Sequence, residues 1–277
     1  MTMVATDDVE IDHLLEAIFT TYHHDFRHYV RSSLRRRLGH ALLRLRCPSI
    51  PVLADRVLQD PRVFAQLIRH MTIQVSDMFR DPSHWRLLRE RVVPHLATYP
   101  FVRVWIAGCG LGEEAYSMAI LLAEEGLLDR SQIYATDIAV ASLAQAEGGT
   151  YELDRAASFS SNYLASGGRR ALSDYYAATS SRIAFAAELR ERVLFADHSL
   201  ATDAAFAEVQ LVSCRNVLIY FDRALQDRVI GTFDDALCSR GWLGIGNKET
   251  LMFSRHVDVF EPIVADEKVY QKRGAAS

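Results

Sequence analysis

The sequence predicts an α/β fold: a mostly parallel sheet carrying a small inserted subdomain, preceded by an all-α N-terminal domain. Three observations carry this. From residue 102 onward, short apolar runs alternate with helix-period segments, and alternating βα units give a parallel sheet covered on both faces. Before residue 72 the apolar residues recur at helical spacing only. Residues 148–191 follow neither pattern; with Gly148-Gly149, Gly167-Gly168, many serines and scattered aromatics, they read as an insertion between sheet elements. The expected divisions are 1–72 for the helical domain, 73–88 for a connecting segment, and 89–277 for the sheet domain with its insertion at about 150–191.

The elements follow in order. Residues 9–70 read as helices, with Leu14, Leu15, Ile18 and Phe19, then Phe26, Tyr29 and Val30, on apolar faces. Pro48, Pro51 and Pro61 mark short connections, and Asp60-Pro61 reads as a helix start. Between Phe26 and Ala54 there is no acidic residue but there are seven arginines (Arg27, Arg31, Arg35, Arg36, Arg37, Arg44 and Arg46), which predicts a basic face. Residues 71–85 lead into the second domain, and Asp81-Pro82 starts a helix bearing Trp85, Leu87 and Leu88. Strands are expected at 102–107, 131–136, 192–196, 209–214 and 242–246, with helices at 113–125, 139–147 and 223–238 between them. A final strand, 268–272, pairs with 242–246.

Composition narrows the function. Of 277 residues 49% are hydrophobic and 24% charged, as in a soluble globular protein. A net charge of −4 argues against a polyanion-binding molecule, so no nucleic acid is expected as partner. Cys47, Cys109, Cys214 and Cys238 lie far apart with no C-x-x-C pair, which disfavours a disulfide framework or zinc site and fits a reducing, cytoplasmic setting. The acidic N-terminus lacks the charged-then-apolar order of a signal peptide, and runs such as 118–123 are too short to span a bilayer. The ten histidines show no metal spacing, so no metal is expected, and no G-x-S-x-G elbow is present.

The most informative stretch is 102–116. An apolar run with Val102, Val104 and Ile106 enters a loop with Gly108, Gly110 and Gly112, and a helix follows with Glu113 and Glu114 in its first turn. Strand, glycine loop and helix are how α/β proteins hold nucleotide-like cofactors. Two carboxylates stand where a dinucleotide pyrophosphate would need positive potential. They suit a cofactor with a cationic amino acid head, such as S-adenosylmethionine. The spacing agrees, being G-x-G-x-G rather than G-x-G-x-x-G. Asp137 ends the next strand, where an acid commonly accepts from ribose hydroxyls; its alternative is to cap the following helix. Cys214-Arg215-Asn216 and then Tyr220 follow the fourth strand, again at a carboxyl end where ligands bind. This is not the N-P-P-Y pattern of amino-group methylases. Arg80, in M-F-R-D-P, offers a permanent bidentate cation to a carboxylate; its alternative is a contact with Asp81.

Together these pieces resemble the chemotaxis receptor methyltransferase family, CheR. The matching segments are VSDMFRDPSHW (75–85), RVWIAGCGLGEEAYSMAI (103–120), ATDIAVASLAQAEGGTY (135–151), VLFADHSL (193–200), VSCRNVLIYFD (212–222) and GWLGIGNKETL (241–251), while RSSLRRRL (31–38) resembles the family's basic helix. The resemblance covers almost the full chain, in the family's order. It implies a Rossmann-like class I S-adenosylmethionine-dependent methyltransferase sheet and methyl transfer to receptor glutamates, with S-adenosylhomocysteine as product. Carried over by position, it implies that Arg80 and Tyr220 are catalytic. Gln74, Ser76, Arg80, Glu113, Asp137, Ser199, Leu200, Arg215 and Asn216 then contact the cofactor. Gln74 stands where some members have asparagine, and Ser199 stands where asparagine is usual. Acidic receptor helices are the implied partner, docking on Arg31, Arg35, Arg36 and Arg37, with the chain acting as a monomer. Competing readings are a methyltransferase of the same fold acting on RNA or a small molecule, and a non-catalytic cofactor-binding signalling module.

Overall fold

The computed structural model describes residues 7–72 and 76–274. Its first part is four helices: α1 (Asp8–Tyr22), α2 (Arg31–Arg44), α3 (Ile50–Gln59) and α4 (Pro61–Met71). Asp60 ends α3 and caps α4, its carboxylate accepting the Arg62 N–H, while Pro61 occupies the first turn where no donor is required. Leu14, Leu15 and Ile18 of α1 are buried with Leu38, Leu53 and Leu67, each such side chain contributing about 1.5–3 kcal/mol relative to exposure. Ala139, from the sheet domain, belongs to the same apolar cluster, so the two parts share a packed boundary.

The chain then runs through α5 (Pro82–Leu87), a π turn at Leu88–Val92 and α6 (Val93–Leu96). Pro94 has no N–H to continue the regular ladder, and the Val93 N–H reaches back to the Leu88 carbonyl instead. A seven-stranded sheet follows. It contains β1 (Val102–Ala107) and β2 (Ser131–Asp137), joined by α7 (Glu113–Glu124), with α8 (Val140–Glu147) after them. The insert comes next, as β3 (Thr150–Glu152), α9 (Ala156–Ala165), β4 (Tyr176–Ala178), β5 (Arg182–Phe185) and α10 (Ala187–Arg190). Its three strands form their own antiparallel sheet in the order β3-β5-β4. The main sheet resumes with β6 (Val193–Asp197), β7 (Val209–Cys214), α11 (Arg223–Ala236), β8 (Leu237–Ile245), β9 (Phe260–Val264) and β10 (Val269–Lys272).

The strand order is β6-β2-β1-β7-β8-β10-β9. The first five are parallel, and β10 and β9 add antiparallel. Chain order reverses at β1, with β2 on one side and β7 on the other, which opens the switch-point crevice above their carboxyl ends. β7 is buried along its whole length, as a parallel strand covered on both faces must be.

Two features differ from the sequence expectation. The helix expected at 223–238 stops at Ala236, and β8 takes up at once, with Leu237 already paired to Val209. No turn residue separates the two, so periodicity gave no mark. β9 lies outside the expected strands; as the outermost strand it accommodates Pro262, a position with no ladder donor. Among the described residues no helix is long and apolar enough to cross a membrane.

Candidate active site

A cavity of about 340 Å³ lies over the carboxyl ends of β1, β2 and β7 and is closed from the other side by the helical domain. Its floor is the glycine loop. Gly108 has φ +76°, and a Cβ there would come within 2.4 Å of Val217 Cγ2, so only glycine fits. Gly110, at φ +55°, has no atom within 4 Å of its Cβ direction and lines the cavity, leaving its backbone open to a ligand. The Gly108 and Cys109 N–H groups both donate to the Thr136 carbonyl (2.8 and 2.9 Å), and Gly110 N–H donates to Asp137 Oδ2 (2.9 Å). Asp137 Oδ1 accepts from Ala139 N–H (2.9 Å), so the carboxylate both straps the loop to β2 and leads into α8. Burial pushes the Asp137 carboxyl above the ordinary carboxylate range, against the opposing pull of the Ala139 and Gly110 N–H bonds.

The segment after β7 forms a second wall. Arg215 is buried; its Nη2 donates to Asp81 Oδ2 (2.7 Å) and to the Arg80 carbonyl (3.1 Å), and Nη1 lies 3.6 Å from Glu114. Glu114 in turn accepts from Ser213 Oγ (2.6 Å). Asn216 sits in the left-handed region (φ 62°), and the Glu249 carboxylate behind it accepts the Asn216 and Ile219 N–H groups, each at 3.2 Å. Arg80 itself is exposed and lines the cavity. Among the described residues Asp81 pairs with Arg215 rather than with Arg80.

The helical domain supplies the third wall. Residues 28–30 run antiparallel to 220–222: Val30 N–H donates to the Tyr220 carbonyl and Asp222 N–H to the His28 carbonyl, both at 2.8 Å. The Tyr29 ring meets Phe221 edge-on at 5.0 Å, and His28 Nδ1 lies 2.9 Å from Asp222. Arg37 places its guanidinium 4.2 Å from the centre of the Tyr220 ring.

Of the residues expected in the site, Ser76, Arg80, Asp137, Leu200, Arg215, Asn216 and Tyr220 line this one cavity. Gln74 lies outside the described residues. Glu113 does not line the cavity. Successive helix positions point about 100° apart, so Glu114 reaches the wall while Glu113 turns toward the insert. There it is fully buried and accepts from Arg155 Nη1 (2.6 Å). Burial raises its carboxyl, and Oε2 is left without a partner among the described residues. Ser199 also stays off the wall. Its N–H donates to Asp203 Oδ2 (2.8 Å) in a tight turn, and its neighbours His198 and Leu200 face the cavity instead.

The expected basic face needs the same correction. Arg37 is only 6% exposed and faces the cavity rather than solvent. Arg31 and Arg35 are ion-paired with Asp12 and Asp8 of α1, and Arg36 is exposed. Sequence reasoning missed Tyr29 and Arg37 as cavity residues. One signal for Arg37 was present: it falls on the same buried face of α2 as Leu34, Leu38 and Ala41, where an arginine is out of place unless something receives it.

The lining fits a nucleoside with an amino acid tail. It offers a carboxylate at Asp137, apolar surface at Ile138, Leu200 and Val217, and the open backbone at Gly110. Comparison with known proteins agrees. Residues 9–72 match the CheR methyltransferase all-alpha domain, and residues 74–269 match the CheR methyltransferase SAM binding domain. The chain is 50% identical to a Pseudomonas putida protein named "Putative methyltransferase Cher3", over 98% of this chain and 100% of that one. It is 29% identical to a "Chemotaxis protein methyltransferase" of Listeria innocua, over 82% of this chain and 85% of the relative. It is 28% identical to "Chemotaxis protein methyltransferase 2" of Pseudomonas aeruginosa, over 80% and 79%. The chain therefore belongs to the CheR family of S-adenosylmethionine-dependent methyltransferases.

Proposed function

We propose that this chain methylates glutamate side-chain carboxylates of chemoreceptors in the cytoplasm, giving the methyl esters used in chemosensory adaptation. The observation that carries the reading is the character of the cavity. Arg37, Arg80 and Arg215 all reach its lining, together with Tyr220. Among the described residues the lining holds one histidine, His198, whose Nε2 is engaged with the Ala204 carbonyl at 3.1 Å. Such a site suits a substrate that arrives as an anion. A glutamate carboxylate does so, since its unperturbed pKa is about 4.3. The relatives named as chemotaxis methyltransferases support the same substrate class.

S-adenosylmethionine, when bound, supplies an electrophilic methyl group on a cationic sulfur. The chain's own residues then have separable tasks. Asp137 accepts from the ribose hydroxyls with its remaining lone pairs, and Leu200 packs on the adenine. Ser76, Arg215 and Asn216 shape the pocket, Arg215 by pinning the Arg80 carbonyl and Asp81 in place. Arg80 and the Tyr220 hydroxyl orient the attacking carboxylate. Orientation of this kind is worth roughly 7–11 kcal/mol when the reacting groups are held in line. Docking of acidic receptor helices falls to the outer face of α2, where Arg36 is exposed and Arg31 and Arg35 are partly offset by α1. Such docking weakens as salt rises.

The test is transfer of label from S-adenosylmethionine to chemoreceptor signalling domains, followed by mild base. Base-labile label on receptor glutamates is the expected result. Cofactor binding with no label on any receptor would turn the reading toward another substrate or a sensor.

A further inference from the structure

Tyr220 is held from two directions by the helical domain. Its carbonyl accepts the Val30 N–H at 2.8 Å, and the Arg37 guanidinium lies over its ring at 4.2 Å. Arg37 is an unusual group to find there. It is 6% exposed, one terminal nitrogen donates to the Met71 carbonyl at the end of α4, and the Tyr220 side chain is its other polar neighbour. Its guanidinium makes no ion pair among the described residues. A desolvated cation disfavours folding, and a well-packed apolar side chain of similar volume is commonly neutral or stabilising at such a place. The rest of that face of α2 is apolar (Leu34, Leu38 and Ala41). What the cation gains instead is the negative face of the Tyr220 ring, an attraction that strengthens where water is excluded.

We propose that Arg37 is a positioning residue for methyl transfer: from the helical domain it fixes the Tyr220 ring across the domain boundary, so that the reaction centre is complete only when both parts of the chain are docked. The inference rests on Tyr220 acting at the reaction centre as proposed above. The backbone bridge between residues 28–30 and 220–222 sets where Tyr220 stands, and Arg37 sets how its ring is turned. Tyr29, whose ring packs against Phe221, closes the same corner.

The test uses the full chain with Arg37→Met, Arg37→Lys, Tyr220→Phe and the double variant Arg37→Met/Tyr220→Phe. A positioning role predicts that Arg37→Met lowers kcat about 10- to 100-fold, the range expected when a reacting group is misplaced by a fraction of an ångström to one ångström. KM for S-adenosylmethionine stays within about twofold, and the melting temperature is unchanged or raised because the desolvated cation is gone. Arg37→Lys recovers part of kcat. The double variant is no slower than Tyr220→Phe, since both losses run through one ring. A lowered melting temperature with kcat intact, or additive losses in the double variant, overturns the proposal. An arm without substrate separates this from the receptor assignment. With 3-fluorotyrosine placed at position 220, the 19F line is sharp in the parent and broad or doubled in Arg37→Met. Identical lines overturn the positioning role even if receptors are methylated. If no receptor is methylated, a broadened line still upholds Arg37 as the residue that orders Tyr220.

Discussion

The sheet wall and the helical wall of the cavity are held by different physics. On the sheet side, backbone groups do most of the holding: Gly108, Cys109 and Gly110 donate to Thr136 and Asp137, and Glu249 gathers the N–H groups of Asn216 and Ile219. On the helical side the contacts are a two-residue bridge and side chains, chiefly Arg37 on Tyr220 and Tyr29 on Phe221. The first wall is a property of one domain. The second exists only through docking. Cofactor binding and substrate positioning are therefore separable in part, because the glycine loop is held chiefly from the sheet whereas the orientation of Tyr220 rests on the helical domain.

The sharpest way to break this comparison is at the residues where the walls meet. Tyr220→Phe and Arg80→Ala are expected to fold normally, judged by an unchanged melting temperature, and to lose methyl transfer by about 10²-fold or more. Cofactor affinity of Tyr220→Phe, measured by calorimetry, stays near that of the parent. A folded Arg80→Ala protein with parental turnover would remove Arg80 from the mechanism.

The next effect tests the sheet wall alone. In Gly108→Ala the new methyl group meets Val217 Cγ2 at 2.4 Å in a backbone held at φ +76°. Valine is stiff at χ1 and offers little escape. Left-handed strain and overpacking together cost about 2–4 kcal/mol. At roughly 2–4 °C per kcal/mol for a chain of this size, the melting temperature falls by about 4–16 °C. A smaller loss would mean that the 216–217 segment can retreat, and that this wall is softer than its hydrogen bonds suggest.

The same contrast explains what the sequence could reveal. The glycine loop, Asp137 and the Arg215-Asn216 step were legible because their chemistry is local: a strand ends, the chain must turn, and polar side chains follow. The parallel core was legible from its βα alternation. Glu113 stands off the cavity because adjacent acids on one helix turn face different ways, and only the packing of Arg155 decides which is turned inward. Ser199 stands off the cavity because a tight turn on Asp203 swings its neighbours to the wall instead. Arg37 was misread because helical periodicity identifies a buried face but not what buries it. Composition suggested a basic surface, whereas Asp8 and Asp12 of α1 partly neutralise it. The expected strand at 242–246 was too short because the irregular pairing between Val209 and Leu211 lets β8 begin at Leu237, which alternation cannot show.

A smaller effect concerns Asp137 and pH. Its carboxyl is raised above the ordinary 3.8 by burial, so in the window just above that value the folded protein keeps a proton that the unfolded chain has lost. Stability then falls as pH rises through the window, and the slope vanishes on either side. Glu113 and Glu249 are raised for the same reason, so the parent curve alone cannot isolate one group. The difference between the parent and Asp137→Asn, by denaturant unfolding across that range, is expected to decline with pH. A flat difference would mean that the Ala139 and Gly110 N–H bonds fully offset the loss of water.

The smallest effect falls on the helical wall and bears most directly on docking. Gly39 lies inside α2, two residues beyond Arg37, with no atom within 4 Å of a prospective Cβ and no positive φ. Gly39→Ala should therefore stabilise α2 by about 0.5–1 kcal/mol, mainly by restricting the unfolded chain. Where that gain is seen depends on how the walls are joined. The shared cluster that places Ala139 among the helical core residues, together with the bridge between residues 28–30 and 220–222, makes the two parts one cooperative unit. Calorimetry should then show a single transition moved upward by roughly 1–4 °C. If the variant instead raises only an early, separate transition, the helical wall melts before the sheet wall. In that case Tyr220 loses its support at temperatures where the cofactor loop is still intact, and methyl transfer should fail before cofactor binding does.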